Sequence, residues 1–118
     1  MDELIGRVAA SAGVDRMAAQ KAVAVIFDFL LKEGPTDKVQ ALLDKLPGAD
    51  AVIAAAANQG GGGMGGIMGA GARMMAVGLN MAQIETVTRE TIAFSREKAG
   101  EDAVAEVVGA IPGLAQFV

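Results

Sequence analysis

The sequence predicts an all-α fold, a small helical bundle of two tandem helical repeats related by pseudo-two-fold symmetry and joined by a Gly-rich linker. Three observations predict it. First, a shift of 65 residues lays 39–53, VQALLDKLPGADAVI, onto 104–118, VAEVVGAIPGLAQFV, without a gap, and the register extends back to Gly13 and Gly78. Only six of the forty-one aligned pairs are identical, so the comparison rests on phasing: Val14/Leu79, Leu42/Val107, Leu43/Val108, Leu46/Ile111 and Val52/Phe117 trade apolar for apolar. Second, apolar residues recur at the i, i+3, i+4, i+7 spacing of amphipathic helices. Third, Gly and Pro-Gly fall where those helices must stop, with Pro47-Gly48 matching Pro112-Gly113. A chain of 118 residues is one domain by size, so two such units must share a core. The expected division is repeat one over 1–57, a linker over 58–66 and repeat two over 67–118.

A first helix starts at Asp2, carries Leu4, Ile5, Val8, Ala9 and Ala12 on one face, and stops at Gly13. Asp15 then caps a second helix over 16–32, with Val14 set to touch Ala19 as a hydrophobic staple. Its stretch AVAVIFDFLL is apolar nearly all round, as in a helix surrounded by others. Gly34-Pro35 breaks it, Thr36 caps the next helix, and Val39, Leu42, Leu43 and Leu46 form that helix's stripe before Pro47 ends it. A short Ala-rich helix follows, from 48 to 57.

Residues 60–66, GGGGMGG, lose too much backbone entropy to form a helix and read as a flexible connector. Ile67 to Val77, IMGAGARMMAV, stands by register where repeat one has its first helix, and its glycines would let another helix approach closely. The start after Gly78 is better marked. Leu79 staples to Ile84, and Asn80 with Gln83 three residues on form a capping box. The helix over 81–98 turns Ile84, Val87, Thr88, Thr91, Ile92 and Ser95 to one face and Glu85, Arg89, Glu90, Arg96 and Lys98 to wetter sides. Gly100 divides it from a last stripe, Val104, Val107, Val108 and Ile111, and a final turn.

Apolar residues make up 53% of the chain and Gly another sixteen positions, well above the ~45–50% usual for globular domains. With no Trp, no Tyr and four Phe, the core must be aliphatic and thioether. A net charge of −4 leaves no basic patch for phosphates, which disfavours nucleic acid and anionic membrane surfaces. The absence of cysteine excludes disulfides and thiol chemistry. An acidic start, Met1-Asp2-Glu3, and the lack of a long bulky apolar run argue for a cytoplasmic chain with no membrane span.

Without His or Cys, catalysis would fall to carboxylates, lysines and hydroxyls, so no enzyme, catalytic residue, cofactor or metal is expected. Asp28 between Phe27 and Phe29 is the one candidate for a buried carboxylate, but Lys32 at i+4 and Lys21 two turns back point to an ion-paired or solvated group. The glycine tract contains G-x-G-x-x-G only because it is rich in glycine, with no preceding strand and no Lys-Ser/Thr after it. Met64, Met68, Met74, Met75 and Met81 crowd one region. Core filling is the plainest reading; an adaptable apolar groove comes next, and Cu(I) ligation last.

The order LIGRVAASAGV, a long helix, ALLDKLPGADAVIAAA, a Gly-rich connector and GLNMAQIETV resembles the VcgC/VcgE-type bacterial family of unknown function. It is also similar to a related uncharacterised family of tandem helical repeats. The resemblance covers most of the chain and implies an all-helical fold and a bacterial source, with no activity, cofactor or catalytic residue to carry over. Some members are exported, and the acidic start departs from that pattern.

The favoured expectation is a non-enzymatic protein-interaction or scaffold module that self-associates as a homodimer and engages a protein partner. Its apolar excess has to be covered by something. The interaction surface would use Ile67, Met68, Met74, Met75, Val77 and Met81. The alternative is a binding protein that takes an apolar or lipid-like ligand in a Met-lined groove.

Overall fold

The computed structural model describes residues 2–56, 66–111 and 113–117, and for 55, 56, 66, 67 and 117 the backbone alone. The described residues are all helical, without a strand: α1 (Asp2–Ala12), α2 (Arg16–Glu33), α3 (Thr36–Asp44), α4 (Ala49–Ala56), α5 (Gly66–Val77), α6 (Met81–Ala99) and α7 (Glu101–Ala110), then a single 3₁₀ turn over Leu114–Phe117. None of these helices is long and apolar enough to cross a membrane.

The helix ends follow local chemistry. Asp15 accepts from the Ala18 N–H at 2.7 Å, which satisfies one of the donors left open at the start of α2. At α6 the box is complete: Asn80 Oδ1 accepts from the Gln83 N–H, and Gln83 Oε1 accepts from the Asn80 N–H, each at 2.9 Å. Gln83 does more than the pattern predicts, because its Nε2 also donates to the Ala12 carbonyl at 3.1 Å and ties the start of α6 to the end of α1. Gly13 and Gly78 take positive φ, and the Val14 and Leu79 N–H groups reach back to the Ala9 and Met74 carbonyls at 3.1 and 3.3 Å. These bonds close both helices before the chain reverses.

Two positions depart from expectation. Thr36 is the first residue of α3 and Pro35 stands at the N-cap, where no side-chain bond forms; the fixed φ of proline is enough to start the helix. α4 is described as far as Ala56; its expected last residue and the rest of the expected connector lie outside the described residues except Gly66, which opens α5 instead of closing the linker. Pro112 lies outside them too.

α2 is the centre. Residues 22–27 are buried without interruption, from Ala22 through Phe27, and α1, α3, α4, α5 and α6 all pack against it. A helix wet on one side could not carry this run, since each fully buried Val, Ile or Phe side chain is worth about 1.5–3 kcal/mol. α6 lies across α2 and is amphipathic as predicted, with Ile84, Val87, Thr88, Thr91, Ile92, Phe94 and Ser95 buried. α1 bridges α6 and α2, while α5 bridges α2 and, less extensively, α6. α3 meets α7 on the far side, where Lys38 and Glu106 pair at 3.2 Å.

The polar residues inside α6 are handled unequally. The Thr88 and Ser95 hydroxyls donate to the Ile84 and Thr91 carbonyls at 2.8 and 2.9 Å. The Thr91 hydroxyl, fully buried, has no partner among the described residues. An unmade hydrogen bond in the interior costs about 1–3 kcal/mol. Thr91→Val, which keeps the shape and removes the hydroxyl, should stabilise the protein by about 1 kcal/mol, read as a higher urea midpoint at unchanged slope.

Candidate functional site: a methionine-lined groove

Between α5 and the two long helices lies a groove of about 270 Å³. α5 supplies Met68, Ala70, Gly71, Ala72, Met74 and Met75; α2 supplies Ile26 and Phe29; α6 supplies Met81, Ile84 and Thr88; and Leu114 closes one end. Thr88 is the single polar side chain in the lining, and its hydroxyl is already spent on Ile84. The groove therefore offers contact and desolvation. Among the described residues no cluster of carboxylates could hold a metal ion.

The groove exists because small residues stand in α5. A β-carbon built on Gly71 would meet nothing within 4 Å, so this glycine, expected to admit a neighbouring helix, instead leaves room that no described helix fills. Methionine borders that room on both sides. Met74 is buried, whereas Met68, Met75 and Met81 are 70%, 49% and 53% exposed, an arrangement of unbranched, polarizable side chains able to change shape around an occupant. Of the six residues expected to form an interaction surface, Met68, Met74, Met75 and Met81 meet at the groove. Val77 is half-buried and packs against the core instead, and the Ile67 side chain lies outside the described residues. Sequence reasoning missed Ile26, Phe29, Ile84 and Leu114, which periodicity marks only as core.

α5 is fastened to α2 by an ion pair. Asp28 Oδ2 accepts from Arg73 Nη1 at 2.7 Å and stands 3.0 Å from Lys32 Nζ. The Lys32 partner was foreseen by i+4 spacing; Arg73, forty-five residues away, was not, and Lys21 takes no part. Burial pushes the Asp28 carboxyl up, but the hydrogen bonds from Arg73 and Lys32 together outweigh it and hold the group below its ordinary value.

The opposite corner, where α1 packs on α6, is closed by charge. Arg7 donates to Glu97 at 2.8 Å and to Glu90 at 3.4 Å. Arg7 and Lys98 lie 5.7 and 5.4 Å from the centre of the Phe94 ring, with Glu3 3.8 Å from Lys98 and Asp2 3.6 Å from Arg16. No family model, curated protein or solved structure matches the chain.

Because the folded-state pKa of Asp28 is depressed, its contribution to stability is present above the ordinary value near 3.9 and is lost as pH falls through the lower, folded value. Asp28→Asn should cost about 1–2 kcal/mol at pH 7, where Arg73 loses its charged acceptor. The difference from wild type should shrink as the pH drops below about 4. Urea midpoints at pH 7, 4 and 2.5 measure it.

Proposed function

We propose that this is a non-enzymatic binding protein whose methionine groove takes an apolar ligand. The observation that carries it is concavity: three helices and the C-terminal turn line one apolar space that the described side chains leave unfilled. Sequence reasoning ranked an interaction or scaffold module above this reading, and the enclosure of the groove reverses the order. At about 270 Å³ it falls just under the ~300–1,000 Å³ common for small-molecule sites, so one chain or ring system fits.

The second reading, a homodimer or a contact with a protein partner on the same face, draws on a different observation. Met68 and Met81 are more than half exposed, and exposed thioethers at a groove rim suit a protein surface as well as a small ligand.

The tandem-repeat architecture and the resemblance to the VcgC/VcgE-type family belong to the same proposal. What supports duplication is the spacing of helix starts: α1, α2 and α3 start at Asp2, Arg16 and Thr36, and α5, α6 and α7 start 64, 65 and 65 residues later, at Gly66, Met81 and Glu101. The packing is reciprocal, since the first helix of each half lies on the long helix of the other. Positive φ at Gly13 and Gly48 recurs at Gly78 and Gly113.

The uncharged probe N-phenyl-1-naphthylamine should brighten on binding, and decanol should displace it. Gly71→Leu, which places a side chain in the open space of a helix that gains propensity by losing Gly, should abolish binding while leaving the fold intact. Wild-type protein that leaves the probe dark, or a Gly71→Leu variant that binds as well as wild type, overturns the ligand reading. For the dimer, light scattering behind size exclusion at tens of micromolar should give twice the monomer mass, reduced to a monomer by Met68→Glu or Met75→Glu because a carboxylate is costly to bury. A monomer mass for wild type ends that reading.

A further inference from the structure

The two phenylalanines related by the 65-residue shift, Phe29 and Phe94, have opposite surroundings. Over Phe94 stand two cations, Arg7 from α1 and Lys98 one turn further along α6, both within the ~6 Å at which an aromatic face attracts positive charge. The residues in register with them beside Phe29 are Ala72 and Glu33. Ala72 lines the groove and cannot reach across it. Glu33 lies one turn beyond Phe29 on the same face of α2, is exposed, and makes no ion pair among the described residues. The glycines follow suit: a β-carbon on Gly6 would lie 3.3 Å from Arg16 Nη1, whereas the space at Gly71 is open. One corner thus carries its own cations over its ring; in the other, Arg73 and Lys32 are held on Asp28, leaving the ring, an unpaired carboxylate and an open apolar groove.

We infer that the groove selects an amphipathic cation, an alkyl chain ending in an ammonium group, with the chain along Met68, Met75 and Ile84 and the ammonium over Phe29 beside Glu33. The apolar body is held by burial, and the head group takes the position that Arg7 and Lys98 occupy over Phe94. A sulfate or carboxylate head would meet Glu33 with like charge and the negative face of the ring, and the chain's net charge of −4 opposes it at longer range. This rests on the groove being a ligand site, and adds the sign of the head group.

Three ligands with the same decyl chain separate the two claims: decyltrimethylammonium, decanol and decyl sulfate, each below its micellar concentration, displacing N-phenyl-1-naphthylamine from the full chain. The ammonium should bind about two- to five-fold more tightly than the alcohol, the gain of one partly exposed cation–π contact, and the sulfate more weakly than both. Salt should reduce the ammonium's advantage and leave the alcohol unchanged. Glu33→Gln should lower the ammonium's affinity and spare the alcohol's. Ala72→Arg, which supplies the missing cation from within, should erase the ammonium's advantage; Ala72 is exposed and helical, so the fold should tolerate it. If decanol does not bind, the ligand site itself is wrong. If decanol binds but the sulfate competes as well as the ammonium, or neither variant changes the ranking, the groove stands and its selectivity for cations is overturned.

Discussion

The structure depends on the burial of residues 22–27 of α2 on every side. A stretch with no wet face cannot rest on one neighbour; it needs a cover all round, and in so short a chain most of the other helices are used for that. α1, α3, α4, α5 and α6 each take a sector of α2, so the route of the backbone is largely the order in which those sectors are filled. The helix ends serve this requirement. Gly13 and Gly78 in the left-handed region let the chain reverse tightly enough for α2 and α6 to return across α1 and α5, and Gln83 locks one such reversal to the end of the first helix.

The cover is uneven, and that leaves a groove on one side. α1 sits down on both long helices and its flank is sealed by Arg7, Arg16, Lys98 and their carboxylates. Such exposed pairs add little stability individually, yet they occupy volume and keep the ring of Phe94 covered. α5 brings a glycine, alanines and flexible methionines to the groove, and is fastened to α2 by the Asp28–Arg73 pair. It stands off from α6 as a result. Charge therefore closes one corner and an apolar groove opens at the other, so the groove follows from the side chains that stand there.

The groove's lining is apolar apart from the Thr88 hydroxyl, which donates to the Ile84 carbonyl. Such a lining discriminates by shape and by apolar area.

The sequence by itself determined the helices, their caps and their order, because these are local: Asp15, the Asn80 and Gln83 box, the glycine stops and the stripe periodicities act over a turn or two of chain. It also located the methionines that border the groove, since crowding of one residue type is visible in one dimension. It erred where local signals compete, as at Pro35 and Thr36, where either residue can begin a helix. Only the tertiary structure decided which apolar faces meet. Periodicity marks Ile26, Phe29, Ile84 and Leu114 as buried but is silent on whether their partner is a side chain or an empty space. The Arg73 partner of Asp28 lies beyond any local spacing rule, for an ion pair between helices is fixed by where packing brings their backbones. The groove is likewise a difference between two distances, α1 to its long helices and α5 to its own, and distances between helices are set by the volumes of all the side chains packed between them at once.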